Sequence, residues 1–309
     1  MPLADPAAGV GHLALVGQTA SGKSELALEA ATRLGDAEIV SVDSMQVYRG
    51  MDIGTDKPTP DAQATVPHHL LDLVDPSEEF SVAEFQGAAR AAIADIEARG
   101  KRALLVGGTG LYLQAIIDNL EIPGQWPQHR AELEADLDTG ALYDRLAELD
   151  PVAAGRMEPS NRRRVLRALE VTLGSGRTFS SFGEGLMAFP ATNFSLVAIA
   201  LPPEVVARRI GERYARQLVD GFLDEVRGLA ARPEGLSRTA RQALGYRELL
   251  EHVAGHTTLD DAVDLAIRRT RTFARRQRAW FRRDPRIHWL TPEGDDPYAV
   301  LPTLLGEWA

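Results

Sequence analysis

The chain has 309 residues, of which 44% are hydrophobic and 25% charged, as is usual for a globular protein, and its formal net charge is −10. It contains no cysteine, which excludes disulfide bonds, cysteine nucleophiles and cysteine-ligated zinc and favours a reducing cytoplasm. No stretch approaches the roughly 18 apolar residues of a membrane span. Residues 1–11 lack the basic and apolar regions of a secretory signal.

The predicted elements alternate between strands and helices. The apolar run "HLALVG" predicts a first strand, and "SELALEAATRLG" predicts a helix that ends at Gly35. "AEIVSVDS" predicts a second strand, and a helix follows with a Ser81–Glu84 capping box. "RALLVGGTGLYLQAII" predicts a third strand, a glycine turn and a helix, and further strands are predicted at 194–201 and 286–290.

Helices are predicted at 203–231, 239–253 and 259–283, and residues 121–193 predict helices only. The predicted fold class is therefore α/β, a parallel sheet with flanking helices and an all-helical inserted domain, and "GQTASGKS" at 17–24 makes that sheet P-loop NTPase-like. The catalytic core would comprise residues 1–120 and 194–309, and the insertion residues 121–193.

Positive charge is concentrated in the second half of the chain. Residues 1–160 carry 11 Lys and Arg against 26 Asp and Glu, whereas residues 161–309 carry 23 against 18. Eight arginines and no acid lie between Arg268 and Arg283, and "NRRRVLR" at 161–167 adds four more. Such clusters favour a polyanionic partner, and the alternative for a single arginine-rich helix is a solvated face.

A phosphate-binding loop follows the first strand. "GQTASGKS" fits G-x-x-x-x-G-K-[ST] and consists of Gly17, Gln18, Thr19, Ala20, Ser21, Gly22, Lys23 and Ser24. Its N–H groups and the helix N-terminus are expected to bind anionic oxygens, with Lys23 as a point charge and Ser24 as a Mg²⁺ ligand. The Walker-B aspartate that usually completes an NTPase site is missing, because "RALLVGG" ends in glycine.

Two polar residues follow other predicted strands. Asp43 and Thr109 come after the second and third strands, where ligands bind in parallel sheets, so both are expected to face the phosphate loop. The alternatives are a turn carboxylate for Asp43 and a helix N-cap for Thr109. Arg213 is expected either to be solvated or to point at the anion site.

Four neighbouring polar residues are predicted to have no part in the chemistry. Asp52 and Asp56 are expected to be solvated. His68 and His69 are expected to be structural, because adjacent side chains diverge too far to share a zinc ion.

The ordered set of motifs resembles the tRNA dimethylallyltransferases, also called tRNA isopentenyltransferases, of bacterial type. The resemblance spans nearly the whole chain and rests on "LVGQTASGKSELA", "SVDSMQVYRGMDIGTDKP", "PHHLLDLVDPSEEFSVAEFQ", "LLVGGTGLYLQAII", "NRRRVLRALEV", "GFLDEVRGL", "ARQALGYREL" and "RTRTFARRQRAWFRRD". Gln18 stands where the family usually has proline, which changes the stiffness of the loop but not its phosphate-binding positions.

The resemblance implies a reaction: transfer of a dimethylallyl group from dimethylallyl diphosphate to N6 of the adenosine beside the tRNA anticodon. The P-loop would then hold a diphosphate leaving group with Mg²⁺, and no Walker-B aspartate is needed. By analogy with the family, Asp43 is the general base, and Thr109 and Arg213 contact the diphosphate or the reacting centre. The residues expected to contact tRNA are Asp43, Ser44, Met45, Gln46, Thr109, Arg130, Arg163, Arg164, Val165, Leu166, Arg167, Arg275, Arg276 and Arg278.

The expected partners are the tRNA anticodon stem-loop and dimethylallyl diphosphate, with no membrane, and the expected state is a cytoplasmic monomer. Two other classes remain open on the residues alone. A small-molecule or nucleoside kinase would explain the P-loop but not the arginine-rich clusters. A non-catalytic RNA-binding or nucleotide-sensing module would explain the arginines but not the placement of Asp43 and Thr109.

Overall fold

The computed structural model describes residues 11–308, so the predicted absence of a signal at the N-terminus falls mostly outside the described residues. Six parallel strands form one sheet in the order β3-β2-β4-β1-β5-β6. Their bounds are β1 His12–Val16, β2 Ala37–Val42, β3 His68–His69, β4 Arg102–Gly107, β5 Phe194–Ile199 and β6 His288–Leu290. The predicted parallel α/β architecture is confirmed.

One strand of the sheet is not predicted by the sequence. The two-residue strand β3 pairs with the edge of β2, and it is too short to show an alternating pattern. His68 Nδ1 donates a hydrogen bond to the Val66 carbonyl, and His69 contacts the Glu38 carboxylate. Both histidines therefore have the structural role expected for them.

The described residues 11–117 and 191–308 form one compact unit. Its helices are α1 Lys23–Leu34, α2 Pro60–Thr65, α3 Val82–Ala98 and α4 Gly110–Ile117 before the insertion. Helix α1 connects β1 to β2, and α3 follows β3 and leads to β4, so the two connections run in opposite directions across the sheet. Because such connections are right-handed, the two helices lie on opposite faces of the sheet. The predicted stop at Gly35 (φ 74°) and the Ser81–Glu84 capping box are both present.

The second half of this unit departs from the predicted helices at three places. The stretch predicted at 239–253 consists of a 3₁₀ turn at Ala240–Gln242 and a helix only at Tyr246–Val253. The single stretch predicted at 203–231 is wrong, because Gly221 adopts a left-handed conformation (φ 99°) that ends one helix and starts the next. The C-terminal helix was not predicted, and it is held by the buried side chains of Leu301, Leu304 and Trp308. The helices here are α9 Pro203–Val219, α10 Phe222–Ala230, α11 Tyr246–Val253, α12 Leu259–Phe281 and α13 Leu301–Trp308, with 3₁₀ turns at Ala240–Gln242 and Pro297–Val300.

Residues Asp118–Pro190, all of which the structure describes, form a second compact unit without strands. Its helices, numbered in chain order between α4 and α9, are α5 Pro127–Ala135, α6 Thr139–Leu149, α7 Pro151–Ala154 and α8 Arg162–Ser175, with a 3₁₀ turn at Phe179–Phe182. They enclose a separate apolar core around Leu146, Val165 and Leu169. None of the helices within residues 11–308 is both long and apolar enough to cross a bilayer.

Candidate active site

A cavity of about 960 Å³ opens at the carboxyl ends of the strands in the larger unit. Its walls come from the P-loop, the segments that follow β2 and β4, and helices α9 and α12. This edge of a parallel sheet is where α/β proteins bind ligands. Asp43, Thr109 and Arg213, which lie far apart in the sequence, all line it together with Lys23 and Ser24.

The P-loop has the backbone conformation that its glycines permit. Gly17 and Gly22 have φ of 144° and 82°, and helix α1 begins directly after Gly22. The N-terminal amides of a helix point towards a bound anion and carry partial positive charge. A Cβ at Gly22 would lie 2.5 Å from Pro297 Cγ, so the turn also needs glycine for space.

Lys23 lies in a desolvated position at the start of α1. Removal from water lowers the pKa of its ammonium below the usual 10.5, while the nearby Asp43 carboxylate raises it and Arg213 lowers it. An ammonium whose charge is poorly solvated gains more from a bound polyanion than one in bulk water. The environment of Lys23 therefore favours a strongly negative ligand.

Asp43 and Thr109 belong to adjoining turns. One oxygen of Asp43 accepts the Met45 amide at 2.8 Å, which is the turn interaction considered as an alternative, and the carboxylate nevertheless lines the cavity. Thr109 directly precedes α4, where its carbonyl accepts the Leu113 amide, while its hydroxyl accepts the Ser44 amide at 3.2 Å. Thr109 thus ties the turn after β4 to the turn that carries Asp43.

Gln46, in the same turn, is another residue predicted to contact tRNA. Both the oxygen and the nitrogen of its side-chain amide are hydrogen-bonded within the protein. The Ser41 hydroxyl donates to its oxygen at 2.7 Å, and its nitrogen donates to the Thr55 and Asp56 carbonyls at 3.1 and 3.2 Å. Gln46, Ser44 and Met45 all line the cavity.

Arg213 points towards the P-loop from helix α9. Its guanidinium donates to the Thr19 hydroxyl at 3.0 Å and to the Gly54 carbonyl at 3.2 Å, and it lies 3.6 Å from Asp56. Of the two positions left open by the sequence, the structure shows the one beside the anion site. An arginine held this way over a phosphate loop adds positive charge to the site.

Asp52 and Asp56 are solvent-exposed as expected, with 57% and 41% of their side chains exposed, but both also form ion pairs that the sequence does not reveal. Asp56 lines the cavity and forms ion pairs with Arg213 and Arg216. Asp52 pairs with Lys57, whose side chain is only 5% exposed and also contacts Asp72. Sequence pattern alone misses both roles because the partners come from other segments of the fold.

Glu225, which no sequence pattern marks as functional, holds the loop at 52–54. Its carboxylate accepts the backbone amides of Asp52, Ile53 and Gly54 at 2.9, 2.8 and 3.3 Å, and also the Tyr246 hydroxyl. A Cβ at Gly54 would lie 2.2 Å from the Phe222 ring. The motifs "GFLDEVRGL" and "ALGYREL" therefore shape a wall of the cavity without supplying its chemistry.

Gln277 of helix α12 is a second residue that sequence reasoning missed. Its side chain is bonded to the Thr19 amide and to the Gly108 carbonyl, and the residue is 8% exposed. The available signal was an uncharged residue in "ARRQRAW", spaced by three and four from the buried Ala274 and Phe281.

The arginines of α12 have different surroundings. Arg276 lines the cavity, as do Arg268 and Arg269. Arg275 is exposed and donates to the Thr272 hydroxyl. Partial burial lowers the pKa of Arg278, with a smaller effect from Arg282.

Two of the tRNA contacts predicted in the insertion are wrong. The side chains of Val165 and Leu166 are 0% and 3% exposed in the insertion's own core, so neither side chain is available to tRNA. They alternate with arginines on α8 because one face of that helix must be buried.

The four arginines predicted in the insertion fall into two groups. Arg130 contacts Glu134 and Glu170, and Arg167 donates to Glu170 and to the Pro123 carbonyl. Arg163 and Arg164 have exposed side chains at the start of α8. The second pair is therefore better placed to meet a polyanion than the first.

The residues at the P-loop fit a divalent metal. Within residues 11–308 no group of three His, Cys, Asp or Glu side chains gathers around a common point. Mg²⁺ commonly uses one or two protein oxygens and takes its remaining ligands from substrate phosphates and water. The Ser24 hydroxyl lines the cavity beside Lys23, and such an oxygen donor suits that mode of binding.

Comparison with known proteins agrees with this geometry. The family model described as "IPP transferase" matches residues 46–284. The tRNA dimethylallyltransferase of Kineococcus radiotolerans is 48% identical over 303 residues, 95% of each chain, and that of Streptomyces coelicolor is 49% identical over 282 residues, 90% of this chain and 89% of the other.

Two solved structures share the fold. The tRNA isopentenylpyrophosphate transferase of Bacillus halodurans matches with a TM-score of 0.69 and 37% identity over 97% of each chain. A eukaryotic dimethylallyltransferase, described as acting on tRNA, matches with a TM-score of 0.77 and 27% identity over 91% of this chain and 73% of the other. The predicted P-loop NTPase-like class is confirmed, and the chain belongs to the IPP transferase family.

Proposed function

We propose that this chain transfers a dimethylallyl group from dimethylallyl diphosphate to N6 of the adenosine beside the tRNA anticodon, at position 37. The products are N6-isopentenyladenosine and diphosphate. The observation that carries the proposal is a P-loop facing Asp43, with no carboxylate at the end of β4. A Cβ at Gly107 would lie 2.0 Å from the Val42 carbonyl oxygen, so that position cannot hold a Walker-B aspartate.

The donor's diphosphate would bind in the P-loop. The bond between its oxygen and the allylic carbon breaks as negative charge develops on the diphosphate. Lys23, the loop amides and Arg213 stabilise that charge from fixed positions. The Ser24 hydroxyl would hold Mg²⁺, which would supply further charge neutralisation.

The acceptor amine would be activated by Asp43. The N6 nitrogen of adenine is a weak nucleophile, so the Asp43 carboxylate takes its proton as the new carbon–nitrogen bond forms, a role worth about 10²–10⁴-fold in rate. Thr109 holds the Asp43–Gln46 turn through the Ser44 amide. The adenine leaves its stack to enter the cavity at a cost of a few kcal/mol.

The tRNA would be gripped by arginines outside the catalytic loops. Arg163 and Arg164 in the insertion and Arg275, Arg276 and Arg278 on α12 are the proposed contacts. Arg130 and Arg167 would act by shaping the insertion, since both form ion pairs with Glu170. Binding through phosphates weakens as salt rises. We further propose a cytoplasmic protein, as suits a tRNA substrate, and a monomer, which light scattering of the purified protein tests.

The test is transfer of label from dimethylallyl diphosphate to a tRNA transcript with adenosine at position 37. A matched transcript with guanosine there lacks the N6 amine and serves as the control. Incorporation into the first transcript only, with none from [γ-³²P]ATP, supports the proposal. Phosphoryl transfer from ATP to a small acceptor would indicate a kinase, and tRNA binding without any transfer would indicate a non-catalytic RNA-binding module.

A further inference from the structure

The side-chain amide of Gln277 joins the two loops that bound the cavity. Its oxygen accepts the backbone amide of Thr19 in the P-loop at 2.9 Å. Its nitrogen donates to the carbonyl of Gly108, in the turn after β4, at 3.0 Å. Thr19 and Gly108 lie 258 and 169 positions from Gln277 in the sequence, so no local preference accounts for these contacts.

The neutral side-chain amide of Gln277 satisfies both partners at once at any pH. A backbone N–H can only donate and a backbone carbonyl can only accept, so the bridging group needs an acceptor and a donor on one short planar unit. The space is closed as well, because a Cβ at Gly108 would lie 2.2 Å from the Gln277 nitrogen. A neutral amide of this length is therefore specified both by its chemistry and by its size.

The two loops carry opposite halves of the proposed chemistry. The Thr19 hydroxyl also accepts a hydrogen bond from Arg213, which is proposed to stabilise the diphosphate. Gly108 precedes Thr109, whose hydroxyl accepts the Ser44 amide next to Asp43. Gln277 is thus the link between the anion-binding loop and the turn that holds the base.

Resting on the proposed function, we propose that Gln277 is a positioning residue: it sets the spacing between the P-loop and the Asp43 turn, and so the distance from the leaving group to the base. It contacts no reacting atom in this scheme. A misplacement of about 1 Å between reacting groups can cost about 10²-fold in rate. The loss should therefore appear in the rate of transfer and not in the affinity for tRNA.

The informative variant is Gln277→Glu, which keeps the acceptor and replaces the donor. A carboxylate oxygen would then lie next to the Gly108 carbonyl oxygen. The two oxygens repel each other, and the hydrogen bond to Gly108 is lost. When protonated, the same group donates again, so the bridge is restored at low pH. We expect about a 10–100-fold lower kcat than wild type at pH 8, and a ratio of variant to wild-type kcat that rises as the pH falls. Gln277→Met has a similar shape without either bond, and we expect a similar loss with no rise at low pH.

Gln63→Glu is the matched control, because the Gln63 nitrogen also donates to a backbone carbonyl, that of Pro58, at a site away from the cavity. Thermal denaturation verifies folding, and the milder Gln277→Asn replaces any variant that does not fold. Dissociation constants for tRNA and for inorganic diphosphate are measured alongside. We expect weaker diphosphate binding by Gln277→Met, because the Thr19 amide is no longer held, and unchanged tRNA binding.

The outcomes separate the two proposals. The positioning role is overturned if kcat and diphosphate affinity stay within threefold of wild type in both Gln277→Glu and Gln277→Met, and if their pH profiles are parallel to that of wild type. The proposed function would remain intact in that case. A wild-type protein that transfers no label overturns the proposed function. In that case diphosphate binding by wild type and Gln277→Met still decides whether Gln277 organises the P-loop.

Discussion

Removing the Glu225 carboxylate tests whether the loop at 52–54 is held as the structure indicates. In Glu225→Ala three backbone amides and the Tyr246 hydroxyl lose their shared acceptor. Tyr246 is 1% exposed, so its hydroxyl has little access to water, whereas the amides lie on a partly exposed loop and can be rehydrated in part. Because one carboxylate accepts four hydrogen bonds, its removal should lower the free energy of unfolding more than the loss of a typical surface carboxylate.

The magnitude follows from these four bonds. An unsatisfied buried hydroxyl costs about 1 kcal/mol or more, and each amide that exchanges a charged acceptor for water loses about 0.5–1 kcal/mol, for a total of about 3 kcal/mol. At about 2–4 °C per kcal/mol, the melting temperature should fall by about 6–12 °C. Activity should fall too, because Gly54 positions Arg213, and the neighbouring Thr55 and Asp56 carbonyls position Gln46.

The assay is thermal denaturation combined with kcat/KM for transfer, both measured for Glu225→Ala and for Asp224→Ala. Asp224 is the adjacent carboxylate, 79% exposed and paired only with Arg227 among the described residues, so its loss should shift the melting temperature by less than about 1 °C, as exposed ion pairs contribute little. Equal melting temperatures for the two variants would refute the role assigned to Glu225.

Three further predictions address the base, the RNA contact and the buried charge of the sheet edge. Asp43→Asn should lower kcat about 10²–10⁴-fold in single-turnover assays while leaving the tRNA dissociation constant unchanged, and near-normal turnover would remove Asp43 as the base. The double variant Arg163→Glu/Arg164→Glu should weaken tRNA binding and reduce the slope of log K against log salt by about 0.7–0.9 per lost phosphate contact. The exposed Arg227→Glu on α10 is its control, and an unchanged slope would show that these arginines do not touch the backbone. Burial alone would raise the pKa of Glu38, but hydrogen bonds from His69, Lys101 and Arg99 outweigh it and lower the pKa from 4.5 to about 2. This stabilisation, about 3 kcal/mol, is present above pH 4.5 and lost as the pH falls towards 2. Urea denaturation should therefore show Glu38→Gln less stable than wild type at pH 7, with a gap that closes in acid; a gap that does not change with pH contradicts the assignment.

The sequence by itself determined the elements whose causes are local. The P-loop is contiguous, so its glycine spacing, the strand before it and the helix after it are visible within about twenty residues. The same holds for the Ser81–Glu84 capping box, whose bonds join residues three apart. Asp43 and Thr109 were predictable as cavity residues because parallel strands end at one edge of the sheet.

Other features were decided only by the tertiary structure. Strand β3 exists because the edge of β2 is available to pair with it, and two residues carry no periodicity. The apolar side chains among the arginines of α8 indicate that Val165 and Leu166 are buried, but only the packing of the insertion shows which core they join. Asp56 resembled any loop carboxylate until helix α9 brought Arg213 and Arg216 beside it.

The positioning residues show the physical reason most clearly. Glu225 and Gln277 act on backbone groups 173 and 258 positions away. Local propensities extend over a few residues along the chain, and a glutamate or glutamine on a helix has the same propensity whether it faces water or a catalytic loop. Which partner such a side chain meets is fixed only when the helices pack against the sheet.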